Sequence, residues 1–490
     1  MHQTRLCAPR AFVFFVLRHC YLLPYHLRPS QKKSDHKAGS PGDFSCLFNV
    51  AASQPAQIST IEKNMSKNRL RVKTRCGFAR RLRFYERDSP NPRKVSEVTD
   101  AAETEPLFPD ETRQEPVMTK GQTHAVGILP AHGIENMVRE KQIWASGGVQ
   151  DDQIQPASLD LRLGNVAYRI RASFLPGAKG SVTEKLSAHA YHKIDLSQGA
   201  VLETGCVYLV PLMEAVNLPE RTAGFANPKS STGRIDVFTR LITDFGTEFD
   251  KVAAGYKGHL YLEVSPRTFP ILVREGSRLS QLRFRRGAPA HNDTELKRLH
   301  DDIGLVNGEA NIDGGLGVSI DLLGDTKTGL VGWRGKRHAG LIDVDKPGQL
   351  AVRQYWEPIY RDAADEIILD PDEFYILASR EAVTIPATHA AEMVPFNPLV
   401  GEFRVHYAGF FDPGFGAAEA GGKGTDGSGG ARAVLEVRSR EVPFILEHGQ
   451  IIGRLVYERL TDVPQTLYGA GLSSNYQAQG LKLSKHFKQD

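Results

Sequence analysis

At 490 residues the chain has room for two to four domains with sizeable cores, and its apolar (41%) and charged (24%) fractions are those of an ordinary globular protein. A net charge of +4, with much of the basic excess in the first hundred residues, argues against a nucleic-acid groove, as does the lack of a basic stretch interleaved with aromatics beyond residue 120. Of the five cysteines, Cys7, Cys20, Cys46 and Cys76 lie near the N-terminus and Cys206 in an apolar run. None forms a C-x-x-C pair, so neither a zinc–cysteine site nor a disulfide framework is expected, and the chain reads as cytoplasmic with no membrane partner.

Residues 1–121 show no sustained period and are rich in Arg, Lys, Pro and Ser. The apolar run Ala11–Leu17 between Arg10 and Arg18 faintly resembles a signal or transit peptide, but it is too short to span a bilayer. The plainer reading is a disordered extension, or an upstream stretch that is not normally translated, with Met118 as the start.

Ordered patterning begins near Gly127. Apolar spacing over Ile134–Ile143 predicts a helix, and Gln155-Pro-Ala-Ser-Leu-Asp-Leu-Arg-Leu-Gly164 a strand. Short apolar runs between Pro, Gly and Asn turns then follow, as in an all-β barrel or sandwich. Among them Lys229-Ser-Ser-Thr-Gly-Arg234 packs two hydroxyls, two cations and a glycine into one turn. Lys229, Ser230, Ser231 and Arg234 are therefore candidates to grip phosphate; the bland alternative is a polar turn capped by its own serines. In His259–Val264, Leu260, Leu262 and Val264 share one strand face, so Tyr261 and Glu263 point to the other.

The second half repeats the first in order. Ser158-Leu-Asp-Leu returns as Ser319-Ile-Asp-Leu, Val216-Asn-Leu-Pro219 as Val383-Thr-Ile-Pro386, Tyr261-Leu-Glu-Val264 as Val434-Leu-Glu-Val437, and the turn glycine Gly276 as Gly449. This predicts a mainly β chain of two tandem β-domains with a few short helices: copy one over 122–288, a linker over 289–311, copy two over 312–461 and a tail over 462–490. Asp250 follows Phe249 in copy one, and Asp412 leads a tight Phe411-Asp-Pro-Gly turn in copy two. Gly422-Lys-Gly-Thr425 lacks the spacing of a phosphate loop and reads as a flexible tip.

Together these residues resemble the dCTP deaminase branch of the dUTPase-like superfamily, in a tandem-duplicated form. The R-S-S-x-x-R turn of that family stands here as Lys229–Arg234, with lysine leading. Its I-D-P-G-[FW] turn is similar to Phe411–Phe415, and its catalytic x-L-E-x strand to both Glu263 and Glu436. Its tail, Y-G-x-x-G-x-x-x-Y-x-x-Q, is similar to Tyr468 through Gln479. The resemblance implies two distorted β-barrels and hydrolytic deamination of dCTP to dUTP and ammonia, which supplies dUTP for dUMP and dTMP synthesis. It also implies Mg2+ carried by the triphosphate, no zinc and a homo-oligomer, either a trimer or a pseudosymmetric assembly. A glutamate then serves as base and acid, with Glu263 preferred and Glu436 its rival. Lys229, Ser230, Ser231, Arg234, Asp250, Asp412, Tyr468, Tyr476 and Gln479 bind substrate. Copy two has Asn397-Pro-Leu-Val-Gly401 where copy one has the Ser-Ser turn, so one complete site is expected from pieces of both copies. A dUTP diphosphatase or a bifunctional enzyme stays open, although the strand glutamate and the tail favour deamination; so does a non-catalytic nucleotide-binding regulator.

Overall fold

The computed structural model describes residues 125–394, 403–405, 409–417, 429–439, 441–469 and 480–488, all within the unit Glu111–Asp490. The first half builds two antiparallel sheets. One runs in the order Lys251–Val252, Thr222–Pro228, Arg278–Arg286, Ser158–Arg162, Ile154–Gln155. The other runs Val237–Thr243, Lys257–Pro266, Val207–Asn217, Val166–Ile170, Ala190–Asp195. The second half repeats both orders. His389–Val394, Ile451–Arg459 and Leu316–Ser319 are neighbours in one sheet. Ala431–Ser439, Tyr375–Val383, Leu330–Gly335 and Trp356–Tyr360 follow one another in the other. The chain is thus mainly β, and the internal repeat is one of strand order as well as sequence.

The repeat extends to register. Glu263 stands opposite Leu209, and Glu436 opposite Ile376. These partners each follow a tyrosine, Tyr208 or Tyr375, whose hydroxyl accepts a backbone N–H at 3.0 Å from the residue five positions earlier. Gly276 and Gly449 both turn with positive φ, 85° and 80°, where a Cβ would be strained.

Two expectations shift in detail. The first helix is Ala131–Arg139 and stops before Ile143, which enters a strand opposite Val216. Lys141 breaks the helix with φ 58°, because sheet pairing of Ile143 outweighs its helical spacing. The stretch expected as a linker, 289–311, contains the helix Asp293–Ile303. Asn292 caps it, accepting from Glu295 N at 3.0 Å, while Glu295 reaches back in a capping box.

The halves share a core. Ile342, Val344, Trp356, Phe374, Ile376 and Val434 pack into the cluster built mainly by the first half. Buried arginines tie the halves further. Arg283, 1% exposed, donates to Ala391 O at 3.1 Å and to Asp412 at 3.2 Å, and lies over the Phe410 ring. Arg438 pairs with the buried Asp236 and reaches Thr268 at 3.0 Å. No helix of the described residues is long and apolar enough to cross a membrane.

Candidate active site

The strand Thr222–Pro228 ends in Pro228, and the next residues wind into one helical turn, Ser230–Gly233. Lys229 O accepts from Thr232 N at 2.8 Å and Gly233 N at 3.0 Å, while Leu279 O accepts from Lys229 N at 3.0 Å. Ser231, Thr232 and Arg234 are buried by this fold-back.

The turn forms one wall of a cavity of about 470 Å³. Lys229, Ser230, Ser231, Arg234, Arg278 and Gln281 come from the first half; Phe411, Asp412, Phe415, Val434 and Glu436 come from the second. Tyr468 and Lys485 reach the same cavity from the C-terminal region. That volume lies in the range of small-molecule sites.

At one end Glu436 is 6% exposed, with Arg234 Nε 4.0 Å from its carboxylate. Burial pushes the Glu436 carboxyl up to about 8, against the pull of Arg234. At the other end the cations are held in place by acids. Lys229 pairs with Asp160, and Arg278 holds Asp152 at 2.8 Å. A third wall is aromatic: Phe411 and Phe415 meet edge to face at 5.0 Å, and Phe415 lies 5.9 Å from Tyr468. Tyr468 N donates to Pro413 O at 2.8 Å, which joins the start of the tail to the Asp-Pro-Gly turn. Burial raises the Asp412 carboxyl, and Arg283 opposes this.

The structure therefore gathers Lys229, Ser230, Ser231, Arg234, Asp412, Tyr468 and Glu436 from the expected set. It does not bring Glu263 or Asp250 to this cavity. The face of the strand that bears Tyr261 and Glu263 is covered by the excursion 171–189 of its own half. Phe174, Val182 and Leu186 of that excursion pack on Tyr261, Leu209 and Ile242. Glu263 is left 2% exposed, its Oε2 without a hydrogen-bond partner among the described residues. Burial raises its carboxyl, while Ser173 and then Arg240 oppose the rise. Asp250 closes a turn instead. It has φ 62°, its Oδ1 accepts from Leu241 N at 2.7 Å, and burial pushes its carboxyl up to about 7. Tyr476, Gln479, the Asn397–Gly401 segment and the Gly422–Thr425 tip lie outside the described residues.

Several cavity residues were not singled out from sequence. Asp160 sits inside the Gln155–Gly164 motif, and Arg278 closely follows the turn glycine Gly276, but neither position carries a chemical signature of its own. Val344 and Asp345 come from the excursion 336–355 of the second half, which crosses to the first.

Hydroxyls and cations in one turn, a buried carboxylate with a raised pKa and an aromatic wall in one cavity make this the candidate enzyme site. Comparison with known proteins gives the family. Residues 125–288 match the 2'-deoxycytidine 5'-triphosphate deaminase (DCD) N-terminal domain, and residues 292–487 its C-terminal domain. The crystal structure of 2'-deoxycytidine 5'-triphosphate deaminase from Agrobacterium tumefaciens is 57% identical, with a TM-score of 0.66, and the similarity covers 70% of this chain and 100% of that one. Among curated proteins, a dUMP-forming dCTP deaminase from Parafrankia sp. is 33% identical over 28% of this chain and 67% of its own length. A dCTP deaminase from Halorubrum lacusprofundi is 28% identical over 27% of this chain and 64% of its own length, so the chain spans about two thirds of each of these two relatives. The chain belongs to the dCTP deaminase family.

Proposed function

We propose that this chain hydrolyses dCTP to dUTP and ammonia in the cavity between its halves, with Glu436 as the general base and acid. The observation that carries this reading is the shared cavity: the Ser-Ser turn of one half and the glutamate of the other line it together, while Glu263 is sealed.

The triphosphate docks on the Ser230 and Ser231 hydroxyls, the backbone N–H groups of their turn, Lys229 and Arg278. Magnesium enters with the nucleotide. Asp160, which pairs with Lys229, and Asp152, which pairs with Arg278, release those cations to the phosphates. Phe411, Phe415 and Tyr468 offer ring surface, and Asp412 stands ready to orient the sugar. The cytosine ring then extends toward Glu436. In its ionised form Glu436 takes a proton from water, whose oxygen attacks C4. The proton passes to N3, Glu436 then carries the proton of the new C4 hydroxyl to the amino group, and the C4–N bond breaks to release ammonia and leave the uracil carbonyl. Arg234, at 4.0 Å, supports the carboxylate whenever it is charged.

The reading includes a cytoplasmic location, in line with the sparse cysteines of the body of the chain, and a homo-oligomer. The latter is supported by the cross-strand pair Ile368 and Ile445, 53% and 52% exposed, on the ribbon Glu366–Leu369 with Phe444–Glu447. Sedimentation velocity tests it: a single species at the monomer mass removes the oligomer.

Incubation with dCTP and Mg2+ tests the activity. Stoichiometric ammonia and dUTP are expected. Pyrophosphate and dUMP beside the ammonia would place the chain with the dUMP-forming relatives, and the lack of any ammonia overturns the proposal.

A further inference from the structure

We infer that Lys485, supplied by the C-terminal segment, is a further phosphate-binding cation of the cavity and makes the site favour a triphosphate over shorter phosphate chains. The inference rests on the deaminase reading for the identity of the nucleotide. Three observations carry it.

The first is position. Lys485 lines the same cavity as Lys229, Ser230, Ser231 and Arg278. Among the described residues, Lys229, Asp160, Asp345 and Arg278 are charged groups that act on it, whereas Arg234 and Asp236 act on Glu436. Lys485 therefore belongs to the phosphate end, away from the reacting base.

The second is that its backbone is held on both sides. Ser484, 2% exposed, donates its hydroxyl to Ser231 O at 2.8 Å, so the residue before Lys485 is fastened to the phosphate turn itself. Lys482 O accepts from Arg234 Nη1 at 2.9 Å. Lys485 O accepts from Gly348 N at 2.9 Å, and His486 Nε2 meets Val344 O at 2.9 Å. Phe487 then buries its ring against Tyr355 and Trp356, at 5.4 and 5.8 Å. The side chain is thus delivered to the cavity before any ligand arrives, and little ordering remains for the ligand to drive.

The third is charge. Burial and the nearby Lys229 push the Lys485 ammonium down, with Asp160 and Asp345 opposing. Lys229, Arg278 and Lys485 line one cavity, and an entering polyanion can take the place of the acids that hold the first two. A triphosphate carries more charge than a diphosphate, so it gains more from a further cation in this cavity.

The test compares wild type, Lys485→Met and Lys485→Arg, with steady-state kinetics on dCTP and dCDP and with binding of inorganic tripolyphosphate, all in Mg2+. Lys485→Met is expected to raise KM for dCTP about tenfold with kcat within about twofold, to raise KM for dCDP less than about threefold, and to weaken tripolyphosphate binding about tenfold. Lys485→Arg should restore most of each loss. An unchanged KM for dCTP overturns the inference. So does equal weakening of dCTP and dCDP that arginine does not rescue, since this marks a segment that has come loose rather than a lost phosphate contact. Should wild type release no ammonia from dCTP, the deaminase reading falls, and the tripolyphosphate arm still decides the role of Lys485.

Discussion

Glu436→Gln is the sharpest perturbation of the site. The change keeps shape and volume, removes the proton-accepting oxygen and leaves Arg234, 4.0 Å away, facing a neutral amide. With its carboxyl pushed up to about 8, Glu436 is ionised in roughly a tenth of empty sites at pH 7. The ionised fraction is therefore small, but each ionised carboxylate is a stronger base than an ordinary one. A positioned acid–base group contributes about 10²- to 10⁴-fold, or ~3–5 kcal/mol of barrier. Ammonia release from dCTP should fall by at least about 100-fold in kcat, while KM changes by less than about threefold because the phosphate grip is untouched. Coupled ammonia detection with parallel chromatography of dUTP measures both. Glu263→Gln, assayed beside it, should keep kcat within about twofold, because the excursion 171–189 covers that glutamate. Retention of more than about a tenth of kcat in Glu436→Gln, or a matching loss in Glu263→Gln, refutes the assignment and returns the base to the first half.

Other consequences follow from the same geometry. The acidic limb of the kcat/KM profile should lie near pH 8, activity rising as Glu436 loses its proton; Arg234→Met should move that limb to higher pH, because the pull on the carboxylate is lost. Glu263→Gln should raise the unfolding midpoint. The native carboxyl titrates above its unfolded value, so the charged form destabilises the fold progressively as pH rises from the unfolded toward the folded pKa, and the gain of ~1–3 kcal/mol should be full above that window and vanish below it. Asp236→Ala strands the buried Arg438 without its carboxylate and should cost ~3–5 kcal/mol in denaturant unfolding, with a loss of kcat because the strand that carries Glu436 loses its anchor to the first half.

Much of this architecture was legible because β-structure writes its period into sequence. Alternating faces, Pro-ended strands and turn glycines recur in both halves, and the aligned glutamates take up the same register. The turn Lys229–Arg234 was legible as a candidate because hydroxyls and cations crowd into a glycine-containing stretch, and it does line the cavity. The choice between Glu263 and Glu436 was not, because both strands read Leu-Glu-Val and local sequence says nothing about what covers a strand face. Asp250 resembles the Asp-Pro-Gly turn in sequence but lies away from the cavity. Its carboxylate is consumed by the backbone of Leu241, a contact fixed by a left-handed φ that sequence does not advertise. Lys485 lies just beyond the Tyr–Gln tail motif, and Ser231 and Val344, which hold Ser484 and His486 on either side of it, are distant in the chain.

What separates the halves is the course of two equivalent excursions. In the first half the chain leaves Val166–Ile170, crosses its own sheet with Phe174 and the helix Val182–His189, and returns along Ala190–Asp195. In the second it leaves Leu330–Gly335, travels to the other half and returns along Trp356–Tyr360. There Ile342 pairs in parallel with Ile271, Arg274 grips Asp343 at 2.7 Å, and Asp345 joins the cavity rim. One excursion therefore seals the face below Glu263, while the other leaves Val434 and Glu436 lining the cavity and adds Val344 and Asp345 to its wall. The Ser-Ser turn lies on the half whose glutamate is covered, so neither half carries both parts of the chemistry facing the same space. Glu263 therefore cannot stand in for a lost Glu436, because Glu436→Gln leaves both excursions where they are.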